Sequence, residues 1–449
     1  MARSIVVIGG GAAGGTAAQF AKKTDRNAEV TVFEKGSYPQ YSKCALPYYI
    51  SGKVEDVVEF SEKWFEKAGI DIYLETEVKE VDLKKKIVIA ERDGESIEKR
   101  FDSLIIATGA TPGVPPINGV YDGDELKEGV FFLRTLDDAK KIKEFLSNAK
   151  EIAIVGAGLI GLELSEAFYE LGKKVRIIEI LPSILPGMID QDLAEMVYQK
   201  IKDKVEIFTN YMVKEIRGED KVESIVVKSK DGEEREFDAD MVILATGIRP
   251  DTRIAEEIGC KIGERRGIVV DERSMTSIKD VYAAGDCTEY RDFVTGKAIP
   301  IGLGSIGVRQ AMVAGINSAG GNATLPKGFI QTRTTRIFGI EISAAGPLSK
   351  DVENNVQGKY SGKTLPHYFP GSKDIVVKTI LNDSGEIIGA QAVGEGSALR
   401  INTFACAIYN RMKVEEFVKL ETAYAPPIAP TLDPIIISAD VARYRYGRR

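Results

Sequence analysis

One cysteine, Cys44, lies in the stretch YSKCALPYYISG at residues 41–52, between a lysine and a run of apolar and aromatic residues. A deprotonated thiol is both a nucleophile and a redox group. The pattern after Cys44 predicts a helix that begins at this residue, and a helix N-terminus stabilises negative charge. We therefore expect the pKa of Cys44 to lie below that of an ordinary thiol. The alternative is an inert buried cysteine, and the surrounding motifs decide between the two.

The remaining candidates for thiol or imidazole chemistry are few. The other cysteines are Cys260, Cys287 and Cys406, and the single histidine is His367. The cysteines form no CxxC or CxxxxC pair, which excludes the usual zinc spacing and a disulfide scaffold. We predict no metal site, a structural role for the three other cysteines, and no catalytic role for His367.

A first glycine motif follows an apolar strand at the start of the chain. Gly9, Gly11 and Gly14 have the spacing GxGxxG, and a helical stretch and a second strand, EVTVFE, follow and end at Glu34. The glycines permit a tight turn, a close approach of the backbone to a pyrophosphate, and close packing of helix on strand. An acid about 20 residues further on accepts a hydrogen bond from a ribose 2′-hydroxyl. The motif predicts a dinucleotide site that also includes Lys35.

The same device recurs in the second quarter of the chain. Gly156, Gly158 and Gly161 follow a strand and open a helix, and the next strand reaches Glu179. Two such motifs predict two dinucleotides. A carboxylate at Glu179 accepts from a free 2′-hydroxyl and repels a 2′-phosphate, so we expect NADH to be preferred over NADPH. Nearby cations soften that preference; they are Lys173, Lys174 and Arg176.

Three shorter segments place glycines after apolar strands. An ATG triplet occurs at residues 107–109 and again at 245–247, and AGD occurs at 284–286. Because each ATG follows its own glycine motif at a similar interval, the pairing indicates two nested nucleotide-binding domains. The predicted binding residues here are Ala107, Thr108, Gly109, Gly247, Gly285 and Asp286.

In this order the motifs resemble those of the flavoprotein pyridine nucleotide-disulfide oxidoreductases, over essentially the full chain. The resemblance implies FAD at the first glycine motif and NAD(H) at the second. It further implies that Asp286 hydrogen-bonds the ribityl chain of FAD and that Glu163 orients the nicotinamide.

The resemblance also narrows the sulfur chemistry. Members that are similar to glutathione reductase carry a CxxxxC redox pair. In this chain Tyr49 occupies the position of the second cysteine of that pair. The single-cysteine branch comprises NADH peroxidases, NADH oxidases, coenzyme A-disulfide reductases and persulfide reductases. Peroxidases and oxidases typically have a histidine in the first glycine turn, and here that turn reads GAAG. This departure argues against dedicated oxygen or peroxide chemistry.

The sequence most resembles the coenzyme A-disulfide reductases. The shared segments are CALPY at Cys44, HYFPG with Tyr368, and AYAPP with Tyr424. By this resemblance both tyrosines reach the partner subunit's site, beside its thiol and coenzyme A. Gln40 departs from the serine frequent in related enzymes. The predicted cations for coenzyme A phosphates are Lys22, Lys23 and Arg309, with Arg26 and Lys63 as further candidates.

The resulting hypothesis is an FAD-dependent enzyme that uses NAD(P)H to reduce a sulfur substrate through Cys44. The substrate is coenzyme A disulfide, coenzyme A persulfide or polysulfide, and the residues do not choose among them. Two alternatives are an NADH oxidase and a flavin reductase that serves a protein partner. A thiol at the flavin argues against the latter, because pure electron transfer needs none.

The paired motifs predict an α/β chain with two nested doubly wound domains, and the resemblance implies that the C-terminal α+β domain is a dimerisation domain. We predict an FAD domain from residues 1–112 and 250–325, an NAD(H) domain from 113–249, and a dimerisation domain from 326–449. Within the last, DIVVKTILND and IIGAQAVG predict a hairpin, and ALRINTFACAIYNRM predicts a helix. We expect a homodimer.

Length and charge exclude several other classes of protein. The chain has 449 residues, 44% of them hydrophobic, and a net charge of -7. An acidic chain is a poor partner for nucleic acid, whose phosphates require a positive field. No apolar run approaches the ~20 residues of a membrane helix. We expect a cytoplasmic enzyme with no membrane or nucleic-acid partner.

Overall fold

The computed structural model describes residues 2–448; residues 1 and 449, the ends of the predicted domains, lie outside this range. The strands in chain order are β1 (Ser4–Ile8), β2 (Glu29–Phe33), β3 (Ile70–Tyr73), β4 (Glu77–Asp82), β5 (Ile87–Arg92), β6 (Glu95–Arg100), β7 (Ser103–Ile106), β8 (Ala110–Pro112), β9 (Tyr121–Asp122), β10 (Glu125–Leu126), β11 (Val130–Phe131), β12 (Glu151–Val155), β13 (Lys174–Glu179), β14 (Glu206–Thr209), β15 (Tyr211–Arg217), β16 (Ser224–Ser229), β17 (Glu234–Asp238), β18 (Met241–Leu244), β19 (Ile248–Pro250), β20 (Ile268–Val269), β21 (Val281–Ala283), β22 (Thr288–Arg291), β23 (Ala298–Pro300), β24 (Arg333–Ile337), β25 (Ile340–Ala345), β26 (Val356–Lys363), β27 (Asp374–Leu381) and β28 (Ile387–Gly394).

The α-helices are α1 (Ala12–Thr24), α2 (Leu46–Ile50), α3 (Glu62–Lys67), α4 (Leu136–Phe145), α5 (Leu159–Glu170), α6 (Gln191–Ile201), α7 (Arg253–Glu257), α8 (Gly304–Ser318), α9 (Ser397–Tyr409), α10 (Val414–Phe417) and α11 (Pro434–Tyr446). Short 3-10 turns occur at Lys43–Ala45, Leu146–Asn148 and Ser349–Asp351. None of these helices between residues 2 and 448 is long and apolar enough to cross a membrane.

Two parallel sheets share one strand order. The first runs β21-β7-β1-β2-β3 and the second β11-β18-β12-β13-β14. Their central strands are almost wholly buried, as the continuous apolar runs of parallel strands require. In each, the helix after the glycine motif returns the chain to the adjacent strand. The structure confirms the predicted pair of doubly wound domains.

The chain passes between these sheets along a two-stranded ribbon. Strand β8 leaves the first sheet and β19 returns to it, and the two pair antiparallel. The Thr246 hydroxyl donates to the Gly113 carbonyl at 2.6 Å, and the Thr108 hydroxyl donates to the Asp251 carbonyl at 2.6 Å. Both ATG segments thus lead into one crossing. An antiparallel three-stranded sheet accompanies each domain, β4-β5-β6 and β15-β16-β17.

The third domain is an antiparallel sheet with the order β24-β25-β28-β27-β26. Helices α9 and α11 pack against it. The predicted hairpin is confirmed as β27 paired with β28, and the predicted helix is confirmed as α9. This domain completes the expected fold class.

One hydrophobic cluster joins all three parts of the chain. It contains Leu46 and Ile50 from α2, Ile154 from the second sheet, and Ile337 and Val393 from the third domain, all buried. Apolar burial contributes roughly 25 cal/mol per Å². This shared core therefore holds the Cys44 segment against the second and third domains.

Candidate active site

The Cys44 segment is a short helical turn that packs against helices of the second domain. Cys44 lies in the 3-10 turn before α2, and α2 packs on both α4 and α5. The Leu136 amide donates to the Tyr41 hydroxyl at 3.2 Å. The Lys143 ammonium lies 4.6 Å from the centre of the Tyr49 ring and donates to the Tyr49 carbonyl at 3.2 Å. Tyr49, at the position where related enzymes have a second redox cysteine, thus connects the Cys44 segment to α4.

The prediction of a lowered thiol pKa is wrong for the chain itself. Helix α2 has only five residues and begins after Cys44, so it presents no long helix dipole to the sulfur. Cys44 is exposed, yet the protein packed around the thiol raises its pKa, first through partial burial and next through the charge of Glu163. The local sequence predicts a helix next to Cys44, but the charges that shift the pKa of its thiol lie mostly on segments distant in the chain.

The first glycine motif forms a tight turn in which side chains on the glycines would collide with neighbouring backbone. Gly9 has φ +100°, and a Cβ there would lie 2.3 Å from the Ala107 carbonyl oxygen. Gly11 is the N-cap of α1, where no side chain caps the helix and no acid occupies the first turn. Free backbone N–H groups at such a terminus bind anions. Glu34 accepts from the Gly10 amide at 2.6 Å and from the Gly36 amide at 2.7 Å, which orients its carboxylate at the turn.

The second motif repeats this geometry closely. Gly156 has φ +108°, and a Cβ there would lie 2.5 Å from the Ala245 carbonyl oxygen. Gly158 is the uncapped N-cap of α5. The Glu179 carboxylate is buried and accepts from the Ala157 amide at 2.7 Å and the Leu181 amide at 2.8 Å. In both motifs the third glycine packs on the first, because a Cβ at Gly14 or Gly161 would lie 1.7 or 2.1 Å from the carbonyl oxygen of the first glycine.

The remaining predicted cofactor residues lie at the carboxyl ends of parallel strands, where doubly wound sheets bind ligands. Ala107, Thr108 and Gly109 follow β7, Gly247 follows β18, and Gly285 and Asp286 follow β21. Lys35 is exposed beside Glu34. The strand order brings these separate segments to one edge of each sheet.

Arg134, which the sequence motifs did not identify, contacts Asp286 of the first predicted site. Its Nη2 atom donates to the Asp286 carboxylate and to the Ala110 carbonyl, both at 3.2 Å. Its Nε atom is buried and has no hydrogen-bond partner among residues 2–448. This unpaired N–H donor lies near Asp286, and the first glycine turn leaves backbone N–H groups free. Both features are compatible with a bound FAD. The only sequence signal is a cation directly before the α4 capping box of Thr135 and Asp138.

Glu163 and Thr335 form a contact between α5 and the third domain. The Thr335 hydroxyl donates to Glu163 Oε1 at 2.8 Å. Burial raises the pKa of Glu163, and the hydrogen bond from Thr335 opposes this shift. Thr335 is a second residue missed from sequence, since nothing in its strand distinguishes it. The charge of the acid predicted to orient the nicotinamide also raises the pKa of the Cys44 thiol.

The structure brings Tyr368 and Tyr424 together on the third domain. Their hydroxyl oxygens lie 3.4 Å apart, and the residues are 62% and 48% exposed. The hydrogen bond from Tyr368 lowers the pKa of Tyr424, with a smaller effect from Thr431. The two phenols are therefore in contact on an exposed face of the third domain.

Three of the cations predicted for coenzyme A, Lys22, Lys23 and Arg309, lie on two helices that pack together, α1 and α8. The further candidates lie elsewhere, Arg26 just after α1 and Lys63 on α3. Lys22 Nζ donates to the Ala28 carbonyl at 2.7 Å, Lys23 lies 4.9 Å from the Phe20 ring centre, and Arg309 donates to the Ser305 carbonyl at 2.8 Å. Lys22 is therefore engaged within the α1–β2 connection. Within residues 2–448 no cluster of three or more His, Cys, Asp or Glu residues is arranged to hold a metal ion.

Comparisons with known proteins agree with this architecture. The model of the pyridine nucleotide-disulphide oxidoreductases matches residues 3–315, and the model of their dimerisation domain matches 354–434. An NADH oxidase of Methanocaldococcus jannaschii is 36% identical over 97% of this chain and 98% of its own length. A CoA-dependent NAD(P)H sulfur oxidoreductase of Pyrococcus abyssi is 34% identical over 98% of both chains.

A solved structure gives the same result. The NAD-dependent persulfide reductase from A. fulgidus has 36% sequence identity and a TM-score of 0.94, and the match covers 99% of this chain and 84% of that chain. Both nucleotide folds, the third domain and full-length relatives therefore agree, and the chain belongs to the pyridine nucleotide-disulphide oxidoreductase family.

Proposed function

We propose that this oxidoreductase uses NAD(P)H to reduce coenzyme A disulfide, coenzyme A persulfide or polysulfide through Cys44. The observation that carries the proposal is an exposed thiol set between two dinucleotide folds, with Tyr49 in place of a second redox cysteine. A lone thiol completes a disulfide only with sulfur from outside the chain. The CoA-dependent and persulfide-reducing relatives support this choice of substrate.

Membership of the family implies FAD and NAD(P)H. The chemistry that bound FAD would supply here is acceptance of a hydride from the nicotinamide and delivery of an electron pair to sulfur. The chain's residues would supply the rest: Asp286 and Arg134 would hold the first cofactor, and Glu179 would select the second. With coenzyme A disulfide, the Cys44 thiolate attacks one sulfur and forms a mixed disulfide while the other half leaves as a thiolate. With coenzyme A persulfide, the thiolate takes the terminal sulfur, coenzyme A leaves as a thiolate, and reduction of the Cys44 persulfide releases sulfide. A phenol donates the proton that this leaving group needs.

We further propose that two copies of the chain share the sites. The third domain exposes large apolar side chains, including Leu399 at 77%, Ile428 at 70% and Leu432 at 60%. These side chains are candidates for burial between subunits, and the match to the dimerisation domain supports a homodimer. Tyr424 and Tyr368 of the partner subunit then face the coenzyme A sulfur.

The choice of acceptor tests the function directly. We expect NADH consumption by the FAD-loaded enzyme to be fastest with coenzyme A disulfide, coenzyme A persulfide or polysulfide under anaerobic conditions. The relative named NADH oxidase makes oxygen the necessary comparison. If oxygen supports faster turnover than every sulfur acceptor, the enzyme is an oxidase and the proposed function is wrong.

Removing the Tyr424 hydroxyl should slow only the sulfur half of the cycle. We expect Tyr424→Phe to lower kcat with a sulfur acceptor by about 10²-fold, the usual loss when a general acid is removed. Reduction of the flavin by NADH should not change. Stopped-flow absorbance separates the two steps, and Tyr444→Phe, another exposed phenol of the third domain, is the matched control.

Mixed dimers test whether the site crosses the subunit boundary. A Cys44→Ser subunit paired with a Tyr424→Phe subunit contains one intact site if the tyrosine acts on the partner's thiol. About half of the wild-type activity per dimer should return. Activity no greater than that of the parent variants would place both residues of a site in one subunit.

Glu179 should set the choice of nicotinamide cofactor. We expect Glu179→Gln to reduce the ratio of kcat/KM for NADH to that for NADPH by about tenfold, since a charge-assisted hydrogen bond contributes about 1.5 kcal/mol or more. The amide retains the shape and one acceptor for the Ala157 and Leu181 N–H groups. Steady-state kinetics with both cofactors measure the ratio. An unchanged ratio would show that residues other than Glu179 set the preference for NADH over NADPH.

A further inference from the structure

The segment that follows β13, residues 181–190, connects the second glycine turn to the third domain. The Glu179 carboxylate accepts from the Ala157 amide of that turn at 2.7 Å and from the Leu181 amide, the first of the segment, at 2.8 Å. In the middle of the segment the Leu185 amide donates to the Ala157 carbonyl at 2.9 Å. Both polar backbone groups of Ala157 are therefore bound by Glu179 and this segment.

Leu185 has a strained backbone conformation. Its φ is +48°, in the left-handed region that leucine rarely adopts, and its side chain is buried. Such a conformation persists only where the surrounding structure enforces it. Its neighbours Ile184, Met188 and Ile189 are buried in the hydrophobic cluster that joins the three domains. Because apolar burial is not directional, contacts with a defined geometry are needed as well.

Those contacts come from the third domain and converge on Asp190, the last residue of the segment. Its amide donates to Gln391 Oε1 at 2.8 Å. Its carboxylate accepts from the Ser349 amide at 3.0 Å through Oδ1 and from Lys378 Nζ at 2.8 Å through Oδ2. The amide and both carboxylate oxygens of Asp190 are therefore bound to the third domain.

The side chain of Asp190 makes these contacts in place of a local one. Asp190 is the N-cap residue of α6, where an aspartate usually accepts from an amide of the first helical turn. No such cap forms here, and the carboxylate binds Lys378 and Ser349. Lys378 and Asp190 are only 5% and 8% exposed. A buried ion pair adds little net stability, but each charge requires its partner, so the pair fixes the position of the segment.

We propose that Lys378 of the third domain is a positioning residue for the nicotinamide cofactor. Through Asp190 it holds the 181–190 segment in place, and through Leu185 that segment fixes the second glycine turn. This inference rests on the proposed binding of NAD(H) at that turn. It gives the third domain a part in cofactor binding in addition to dimerisation.

Replacement of Lys378 by methionine tests the proposal, because methionine retains an apolar stem and removes the charge. We expect Lys378→Met to weaken NAD+ binding to the oxidised, FAD-loaded enzyme by about tenfold, the effect of losing one hydrogen bond to a charged group. Isothermal titration calorimetry measures this affinity. Hydrogen exchange without nucleotide should accelerate by about tenfold at the amides of Leu185 and Ala157. FAD content, measured by flavin absorbance after desalting, should not change, because the segment contacts only the second turn.

Two further variants keep the result specific. Lys359 lies opposite Lys378 on the neighbouring strand and pairs with Asp192 at 3.0 Å near the surface. Lys359→Met should therefore leave NAD+ affinity and exchange within about twofold of wild type, as expected for an exposed ion pair. The double variant Lys378→Met/Asp190→Asn leaves no unpaired buried charge and so separates positioning from folding. Its FAD content should match wild type, and its NAD+ affinity should remain below wild type.

Other outcomes overturn the inference. Normal NAD+ affinity, or normal exchange at Ala157, in a folded variant that lacks the ion pair would leave Lys378 with a role in stability alone. Loss of both FAD and NAD+ binding from the double variant would likewise show a general structural role. If the wild-type enzyme binds no NAD+, the proposed cofactor assignment fails. Exchange at Ala157, which requires no nucleotide, then still decides whether Lys378 fixes the turn.

Discussion

Replacement of Cys44 by serine should abolish reduction of sulfur acceptors while leaving the flavin reducible by NADH. The serine hydroxyl fits the same turn but is neither a thiolate nucleophile nor able to form a mixed disulfide. We expect turnover with coenzyme A disulfide or persulfide to fall by about 10³-fold or more, in the range seen when an enzyme loses its nucleophile. The rate of flavin bleaching by NADH, measured anaerobically, should stay within about twofold of wild type.

The control for this experiment is the other exposed thiol. Cys406→Ser should retain full activity, because Cys406 lies on α9 and makes only a weak contact with Asn410. Full activity of Cys44→Ser toward every sulfur acceptor would refute the proposed mechanism. Intact mass under nonreducing conditions adds a direct observation, since a coenzyme A adduct that reductant removes should be found on wild type and not on Cys44→Ser.

Alanine at the first glycine of each motif should disable one nucleotide site and spare the other. Gly9 and Gly156 both have φ near +100°, and a Cβ would lie 2.3 Å and 2.5 Å from a carbonyl oxygen. A left-handed conformation costs about 1–3 kcal/mol for a residue with a Cβ, and the backbone must also shift. We expect Gly9→Ala to prevent FAD retention. Gly156→Ala should retain FAD but require at least about 10²-fold more NADH for flavin reduction.

The matched control separates strain from loss of the site. Gly172 has φ +73° but a Cβ there would meet no atom within 4 Å. Gly172→Ala should therefore retain both FAD content and NADH affinity. Flavin absorbance after desalting and NADH titration measure the two sites. If Gly156→Ala lost FAD while Gly9→Ala kept it, the assignment would be reversed, with FAD at the second motif and NAD(H) at the first.

The fold was predictable because its determinants are local. A glycine with positive φ, a helix that begins three residues later and an acid at the end of the next strand are requirements of one βαβ unit, and they stand close together in the chain. The duplicate at Gly156 and Glu179 repeats the same hydrogen bonds seen at Gly9 and Glu34. The β27–β28 hairpin and α9 likewise follow from short-range periodicity.

The charges around the thiol were not predictable in the same way. Glu163 lies on the second domain's helix, Arg134 precedes α4, and Asp286 follows β21, yet all three act on Cys44. The expectation of a depressed pKa used only the residues next to Cys44. Arg134 and Thr335 were missed for the same reason, because their importance lies in Asp286 and Glu163, more than 150 residues away in each case.

The sequence by itself determined the two nucleotide folds, the third domain and the identity of the candidate nucleophile. These follow from backbone sterics and hydrophobic periodicity, which act over a few residues. Only the tertiary structure decided which charges surround Cys44, the Tyr368–Tyr424 pair and the contact between Glu163 and Thr335. Electrostatic and hydrogen-bond energies depend on distance in space, and the parallel sheets bring together segments that the chain keeps far apart.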